Sequence, residues 1–146
     1  MSMFDPTGPL MKTQFLLEKG LEVASLRRKV IANNIANVDV PHFKRSSVGF
    51  ESQMKRALDS QRKVEEEEAL STTNPLHIPG RRHLDYRAVR PAVHADTVSR
   101  MRNDGNNVDI EEEMMELSRN QMSYNLYIDR LGSNYRMLNS MIRLSM

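Results

Sequence analysis

The chain ends in a long stretch whose apolar residues recur every three or four positions. After Asp109, alternating steps of four and three residues reach an apolar side chain at nine of ten positions. The ten positions are Ile110, Met114, Leu117, Gln121, Tyr124, Ile128, Leu131, Tyr135, Leu138 and Ile142. This period predicts a long helix with one continuous apolar stripe, which is typical of a coiled-coil seam. At 1.5 Å per residue the helix would be roughly 50 Å long, so its stripe needs a partner.

The same spacing predicts a second helix from about Leu10 to Asn37. Seven of nine positions are apolar, and its seam contains Leu17, Leu21, Ala24, Ile31 and Ile35. Its end is marked by Asn37, which can adopt the left-handed conformation of a helix end, and by Pro41, which cannot continue a helix. Gly20 is its weak position, at a cost of about 1 kcal/mol relative to Ala. We expect the two helices to pair as an antiparallel coiled coil, since a chain that turns back brings them together in that way.

The segment between the helices predicts a loop-rich insert. One short amphipathic helix is indicated by Phe50, Met54, Ala57 and Leu58, and it runs into the acidic residues at 65–68. Chain breakers follow at Asn74-Pro75, Pro79-Gly80 and Arg90-Pro91, with short β-like pieces such as Tyr86 to Val89 between them. Whether the insert contains a small sheet stays open. The expected fold is mainly α, with a flexible arm at 1–9, a helix and motif at 10–45, the insert at 46–108 and the last helix at 109–146.

The start of the last helix carries its own signals. Asp104-Gly105-Asn106-Asn107 has the composition of a turn. Asp109 followed by Glu112 resembles a capping box, and Glu111 and Glu113 favour the positive end of the helix. We therefore expect this helix to begin directly after Asp109.

Composition narrows the function classes. The 146 residues carry 21 basic and 19 acidic side chains, for a net charge of +2, and only 5% are aromatic. A core this lean leaves apolar side chains for neighbouring molecules. The absence of Cys excludes disulfides and thiolate chemistry. No run approaches the ~18 apolar residues of a membrane span, and no cleaved signal peptide is expected at the N-terminus.

No catalytic, metal or cofactor site is predicted. The four histidines, His42, His77, His83 and His94, lack a metal-ligand spacing and a catalytic neighbour, so we expect structural or surface roles. Five arginines make the insert basic: Arg81, Arg82, Arg87, Arg90 and Arg100. No nucleic-acid-binding motif accompanies them, so neither nucleic acid nor a small-molecule substrate is expected. The 11 methionines suit packing against varied neighbours or ordinary coiled-coil filling.

A cluster of small residues and amides closes the first helix. The motif consists of Ala32, Asn33, Asn34, Ile35, Ala36, Asn37, Val38, Asp39, Pro41, Phe43 and Lys44. Ala32 and Ala36 share a helix face, as do Asn33 and Asn37, because each pair is four residues apart. Small residues admit another backbone, and amides can bond to its carbonyl groups. This composition fits an assembly contact or an ordinary polar helix end.

This motif resembles the N-terminal signature of the flagellar basal-body rod proteins. The resemblance runs from Leu17 to Leu58 and returns at 104–109, before the last helix, and at 113–114 and 120–121 within it. Three positions depart from the family: Val40 stands where Thr is usual, His42 stands where Gly is usual, and Phe43 stands where Tyr is usual. The missing Thr removes a hydroxyl cap, and the missing Gly puts a left-handed backbone at that turn in doubt. Neither change touches the apolar seam.

The resemblance implies a structural subunit of the proximal rod, the shaft that transmits motor torque through the cell envelope. Its expected partners are copies of itself, other rod proteins, the membrane-ring adaptor protein and the export gate. Export would follow the flagellar type III pathway without a cleaved signal peptide, and no enzyme activity is expected. Alternatives are another proximal rod protein of the same family, a coiled-coil export adaptor or chaperone, and a basic helical protein that binds nucleic acid.

Overall fold

A computed structural model describes residues 8–66 and 84–144, with side chains at 8–63 and 84–144. Its elements are α1 (Pro9–Ala36), β1 (Ser46–Gly49), α2 (Glu51–Glu66), a 3-10 helix (Tyr86–Ala88), β2 (Ala92–Ala95) and α3 (Ile110–Leu144). Outside the described residues lie the arm at 1–7, acidic residues 67–68, the breakers at 74–75 and 79–80, Arg81, Arg82, His77 and His83. Two compact units result, one from 1–48 with 94–146 and one from 49–93.

The two long helices of the first unit pack against each other in opposite directions. Gln14 Nε2 lies 2.9 Å from the Tyr135 hydroxyl, near the start of α1 and the end of α3. Asn120 Nδ2, in the first third of α3, donates to the carbonyl of Ala24 near the middle of α1 at 2.9 Å. Residues later in α1 thus contact residues earlier in α3, so the two helices are antiparallel. The prediction of a mainly α fold with paired terminal helices is confirmed. Both ends of α1 lie within one residue of the predicted positions, and α3 begins directly after Asp109 as predicted.

The inward face of α1 agrees with its predicted stripe. Buried positions include Val23, Ala24 and Ile31, while Leu17, Leu21 and Ile35 are half-buried. Gly20 has a packing role, because a Cβ there would lie 3.1 Å from the Tyr127 ring. The absence of a side chain therefore lets α3 approach α1, which offsets the helix propensity that glycine loses.

The face of α3 that packs on α1 differs from the predicted seam. Buried or half-buried positions repeat in steps of four and three: Glu113, Leu117, Asn120, Tyr124, Tyr127, Leu131, Asn134, Leu138 and Met141. Four predicted seam residues, Leu117, Tyr124, Leu131 and Leu138, belong to this set. The other five, Ile110, Met114, Ile128, Tyr135 and Ile142, are 44–55% exposed. The reason is that apolar side chains lie on more than one face of α3. The face that packs on α1 also contains the polar residues Glu113 and Asn120, which form hydrogen bonds with α1.

The second unit holds the predicted short helix and a tight turn. Within α2, Met54 and Ala57 are buried, and the Ser60 hydroxyl accepts the Leu84 N–H at 2.9 Å. The prediction of a β-like segment from Tyr86 to Val89 is wrong, because residues 86–88 form a 3-10 helix. Asp85 explains the difference, since its carboxylate accepts the Arg87 N–H at 2.9 Å and closes the turn.

The insert does contain a small sheet. β1 and β2 pair as a two-stranded sheet. The Asp96 N–H, just after β2, donates to the carbonyl of Arg45, just before β1, at 2.8 Å. The start of one strand thus lies beside the end of the other, so the pair is antiparallel. Among the helices that the structure describes, none combines the length and hydropathy needed to span a bilayer.

Candidate assembly interface

The signature that ends α1 and the turn that precedes α3 are joined by buried polar side chains. We name this set the polar cluster: Asn34, Arg45, Asn106, Asn107 and Glu113. All but Arg45 are at most 3% exposed. Because buried polar groups need hydrogen-bond partners, each of these side chains fixes the position of another segment.

Asn34 connects α1 to the beginning of β1. Its Nδ2 donates to the Ser46 carbonyl at 2.8 Å, and its Oδ1 accepts the Ser46 N–H at 3.0 Å. The same Nδ2 also donates to Glu113 Oε2 at 3.1 Å. The side-chain amide thus satisfies both backbone groups of one strand residue, as a neighbouring strand would.

Glu113 and Arg45 form a buried ion pair at the start of α3. Glu113 is 1% exposed and accepts a hydrogen bond from Arg45 Nε. Arg45 Nη1 also lies 3.2 Å from Glu112 Oε1. Burial lowers the pKa of the Arg45 guanidinium, but the hydrogen bond to Glu113 and the nearby carboxylates raise it overall. The guanidinium therefore compensates a carboxylate that would be costly to bury alone.

Asn106 caps the end of α1 from 69 residues away along the chain. Its Nδ2 donates to the carbonyls of Asn37, Val38 and Val40 at 3.2, 3.0 and 2.9 Å. Its Oδ1 accepts the Val108 N–H at 2.7 Å. Carbonyl groups at a helix C-terminus lack partners within the helix, and this amide supplies them. Asn37 itself ends the helix at a φ of −109° rather than in the left-handed conformation.

Asn107 and Lys44 hold the loop that leads into the turn. Asn107 Oδ1 accepts the Arg45 N–H at 2.6 Å, and its Nδ2 donates to the Asp96 carbonyl at 2.9 Å. Lys44 Nζ donates to the carbonyls of Ser99 and Gly105 at 3.1 and 2.9 Å. Hydrogen bonds from the Ser99 hydroxyl and N–H hold the pKa of Asp96 below its usual range.

The turn at His42 keeps the left-handed conformation without a glycine. Its φ is 62°, and its N–H donates to the Asp104 carbonyl at 3.1 Å. Across from it, Gly105 has a φ of 81°, and a Cβ there would lie 3.0 Å from the His42 ring. A left-handed non-glycine residue costs about 1–2 kcal/mol, which this contact and the polar cluster must offset.

The structure divides the predicted motif into an inward and an outward part. Asn34, Ile35, Asn37, Val38, Phe43 and Lys44 are buried or half-buried within the chain. Ala32, Asn33, Ala36, Asp39 and Pro41 are exposed. Of the exposed part, Asp39 pairs with Arg102 at 3.1 Å. The inward part therefore folds the chain, and the outward part remains accessible to a neighbour.

Two apolar stripes on α3 are accessible as well. The flank stripe, Ile110, Met114, Ile128 and Ile142, consists of predicted seam residues and is 44–55% exposed. The outer stripe, Met115, Met122, Leu126 and Met137, is 39–69% exposed. Tyr135 lies at the edge of α1, where its hydroxyl contacts Gln14 and Glu18. So many large apolar side chains on one helix are typical of an interaction surface.

Sequence reasoning predicted no role in the fold for Arg45 or Asn120. Asn120 is 5% exposed, and its Oδ1 has no hydrogen-bond partner within the described part of the chain. The sequence signal for Asn120 was its position, which follows Glu113 by a step of four residues and then one of three. For Arg45 no local pattern exists, because its partner lies 68 residues away. Within 8–66 and 84–144, no group of three acidic or histidine side chains could hold a metal ion.

Comparison with known sequences gives consistent matches. The profile of a family described as "Flagella basal body rod protein" matches residues 17–44, which cover the end of α1 and the turn after it. The flagellar basal body rod protein FlgB of Borrelia hermsii is 41% identical over 128 residues, or 88% of this chain and 93% of the relative. FlgB of Borreliella burgdorferi is 38% identical, covering 84% and 90%. FlgB of Bacillus subtilis is 31% identical, covering 86% and 89%.

Proposed function

The chain belongs to the FlgB family of flagellar basal body rod proteins, and we propose that it builds the rod through the exposed faces of its two terminal helices. It is a structural subunit of the flagellar basal body rod. The observation that supports the proposal is the apolar surface that α3 leaves uncovered after it packs on α1. A shaft that transmits torque needs large, dry contacts between subunits, and such stripes provide them.

The flank stripe is the first proposed contact. Ile128 and Ile142 are each 44% exposed and lie next to the seam with α1. A neighbouring helix could continue the packing there, so that α1, α3 and the neighbour share one core. Burying a large aliphatic side chain fully contributes about 1.5–3 kcal/mol. Ile128 and Ile142 are about half buried in the free subunit, so roughly half of this contribution remains to be gained on assembly.

The outward part of the motif is the second proposed contact. Ala32 and Ala36 are exposed on the same face of α1 and are small enough for a neighbouring helix to approach closely. Asn33 lies beside them, and its Oδ1 accepts from Asn37 Nδ2 at 3.3 Å. We propose that this face takes another rod subunit, while the inward residues hold the backbone in place.

A deletion strain tests the function. Bacteria without this chain should be non-motile and lack complete hook–basal bodies, and the intact chain should restore both. Electron microscopy of purified basal bodies is the measurement. Complete rods in the deletion strain would contradict the proposal. In the same strain, the variant Ala32→Gln/Ala36→Gln should restore neither rods nor motility, whereas Ser52→Gln on exposed α2 should restore both.

The proposed position is the proximal end of the rod, where the partners would be other rod proteins, the membrane-ring adaptor protein and the export gate. The support is the resemblance of 17–58 and 104–109 to the rod family. In this scheme the arm at 1–9 serves export and docking, 10–45 and 109–146 form the assembly core, and 46–108 is the segment that distinguishes this subunit from other rod proteins.

Export by the flagellar type III pathway is proposed to depend on the arm. Removing residues 2–8 leaves α1 intact from Pro9, so helix content should not change. The truncated chain should stay in the cytoplasm, and immunoblots of cell fractions would measure this. Blocking flagellar type III export should retain the full chain in the same way. Unchanged delivery of the truncated chain would remove this role from the arm.

A further inference from the structure

Three adjacent rows of residues run along α3 beside α1. The central one, which we name the shared row, is half-buried and consists of Leu117, Tyr124, Leu131 and Leu138. On one side lies the inner row, which completes the face that packs on α1: Glu113, Asn120, Tyr127, Asn134 and Met141. On the other side, one residue later in the chain, lies the flank row, which is exposed: Met114, Gln121, Ile128, Tyr135 and Ile142. The helix α1 thus covers the shared row and one of its two neighbours.

The inner row is more polar than the flank row, and yet α1 covers it. The inner row contains one acid and two amides, whereas the flank row contains one amide. Glu113 and Asn120 are 1% and 5% exposed, whereas Met114 and Ile128 are 55% and 44% exposed. Burial of apolar surface is favourable and burial of polar groups is costly, so apolar content alone would place the flank row against α1. Specific contacts must therefore hold the inner row in its place.

Two hydrogen bonds to α1 hold the inner row. Glu113 Oε2 accepts from Asn34 Nδ2 at 3.1 Å, and Asn120 Nδ2 donates to the Ala24 carbonyl at 2.9 Å. The second of these anchors is incomplete. The Asn120 Oδ1 atom is buried, and no described residue donates a hydrogen bond to it. A buried acceptor without a donor lowers the stability of the packing that buries it.

Gly20 is the third contact of the inner row. The ring of Tyr127 covers it so closely that a Cβ at position 20 would lie 3.1 Å from the ring. A methyl group there would press on the ring only while the inner row faces α1. The observed packing therefore depends on the missing side chain at this one position of α1.

We propose that α3 has a second packing on α1, in which a roll about its own axis brings the flank row inward and turns the inner row to solvent. Rows that are one residue apart are separated by about 100° around a helix. Because the shared row stays in contact with α1, the roll needs only about half of this angle, ~50°. Two discrete packings of one helix are a common basis for a conformational switch.

The second packing would change the surface that the chain offers to neighbours. The helix α1 would cover Met114, Ile128 and Ile142, which make up most of the flank stripe. A rolled subunit would then withhold a surface that rod assembly needs, and a subunit in the observed packing presents it. This consequence rests on the proposed function, whereas the roll itself does not. The contacts of the inner row thus select the packing in which the flank stripe is accessible.

Two substitutions in the purified full chain favour the rolled packing by different routes. Asn120→Asp places an unpaired charge on the inner row, which the roll turns to solvent. Gly20→Ala adds a Cβ against the Tyr127 ring while it raises the helix propensity of α1, so the helix itself is not weakened. The chain contains no Cys, so a single introduced thiol reports on one position. The reporters are Ile128→Cys on the flank row and Asn134→Cys on the inner row.

The rate of thiol labelling is the measurement, and circular dichroism follows the helix content. In both variants the thiol at position 128 should react roughly tenfold or more slowly than in the unchanged background, and the thiol at position 134 should react faster. Tyr127→Ala should restore the original rates in Gly20→Ala, because it removes the ring that the new Cβ meets. Asn125→Asp is the matched control, since it adds the same charge on the exposed face of α3 and should alter neither rate.

Faster labelling of both reporters in both variants would overturn the proposal, because it shows that the helices separate rather than roll. Unchanged labelling with retained helix content would overturn it as well. If Asn120→Asp lowers the helix content, Gly20→Ala and its rescue by Tyr127→Ala decide the question. None of these results bears on the rod function, which is judged by rods in the deletion strain. Complete rods in that strain would refute the function and leave the labelling result unchanged.

Discussion

Ile128→Asp is expected to abolish rod assembly while the isolated chain stays folded. Ile128 is 44% exposed on the flank stripe and lies outside the face that packs on α1. An aspartate there remains hydrated in the free subunit, so the free energy of unfolding should fall by only about 1 kcal/mol, the contribution of a half-buried isoleucine. In the assembled rod the same carboxylate would be buried against apolar side chains, which costs several kcal/mol. Motility assays and counts of basal bodies measure the loss, and thermal unfolding measures the fold.

Leu131→Asp is the matched control, three residues further along α3. Leu131 is half-buried on the face toward α1. Its replacement should destabilise the helix pair itself by about 3 kcal/mol or more, and the chain should be degraded or misfolded in cells. A motile strain with Ile128→Asp would contradict the flank stripe as a contact. Equal destabilisation by the two substitutions would show that the two faces are not distinct.

Arg45→Ala is expected to lower the free energy of unfolding by about 2–4 kcal/mol. Removing the guanidinium leaves the Glu113 carboxylate, which is 1% exposed, with the Nδ2 of Asn34 as its remaining side-chain donor. Loss of one partner of a fully buried ion pair costs about 3–5 kcal/mol. The Arg45 side chain is 27% exposed, so solvent already screens part of the pair and the expected loss is smaller. Denaturant unfolding followed by circular dichroism is the measurement.

The double variant Arg45→Ala/Glu113→Gln separates the pair from general packing. Neutralising Glu113 removes the uncompensated charge, so the double variant should be more stable than Arg45→Ala by about 1 kcal/mol or more. Lys55→Ala on exposed α2 is a control that should change stability by less than about 0.5 kcal/mol. A result for Arg45→Ala within that same small range would contradict the proposed importance of the ion pair. It would leave Asn34 and Asn106 as the main connections between the helix ends.

The helices themselves could be predicted because their signals are local. The four-and-three spacing located both, and Asp109 caps α3 as expected, with its carboxylate accepting the Glu111 N–H at 2.9 Å. The end of α1 near Asn37 followed from residue chemistry within a few positions. Each of these signals acts within one or two helical turns. The apolar period and the capping residues therefore suffice to predict a helix whose formation depends on its own residues.

The inward face of α3 could not be chosen from the sequence. Two apolar sets compete on that helix, and the apolar count favoured the one containing Ile128, which the structure leaves exposed. The face that packs on α1 contains Glu113 and Asn120, whose partners lie on segments far along the chain. When a seam is chosen by its number of apolar residues, a polar residue argues against that face unless its hydrogen-bond partner is known. Burial of these two side chains depends on tertiary contacts that no periodicity encodes.

The candidate contact surface was only partly predictable for the same reason. The outward residues Ala32 and Ala36 were identified by their small size and shared face, and they are exposed. The inward residue Asn34 has the same local setting but is fully buried, because Ser46 and Glu113 supply its partners. His42 keeps its left-handed backbone through contacts with the turn at 104–105. Tertiary hydrogen bonds thus decide which motif residues fold the chain and which stay accessible.

The most direct measurement of the central claim is photo-cross-linking in intact hook–basal bodies, read by mass spectrometry. A photoreactive residue would replace Met122 on the outer stripe, Met114 on the flank stripe or Tyr127 on the face toward α1. The chain should be present in basal bodies, and positions 114 and 122 should cross-link to other subunits. Position 127 should cross-link within its own chain. Absence of the chain from basal bodies, together with a folded chain in the cytoplasm, would contradict the rod role and favour an export adaptor.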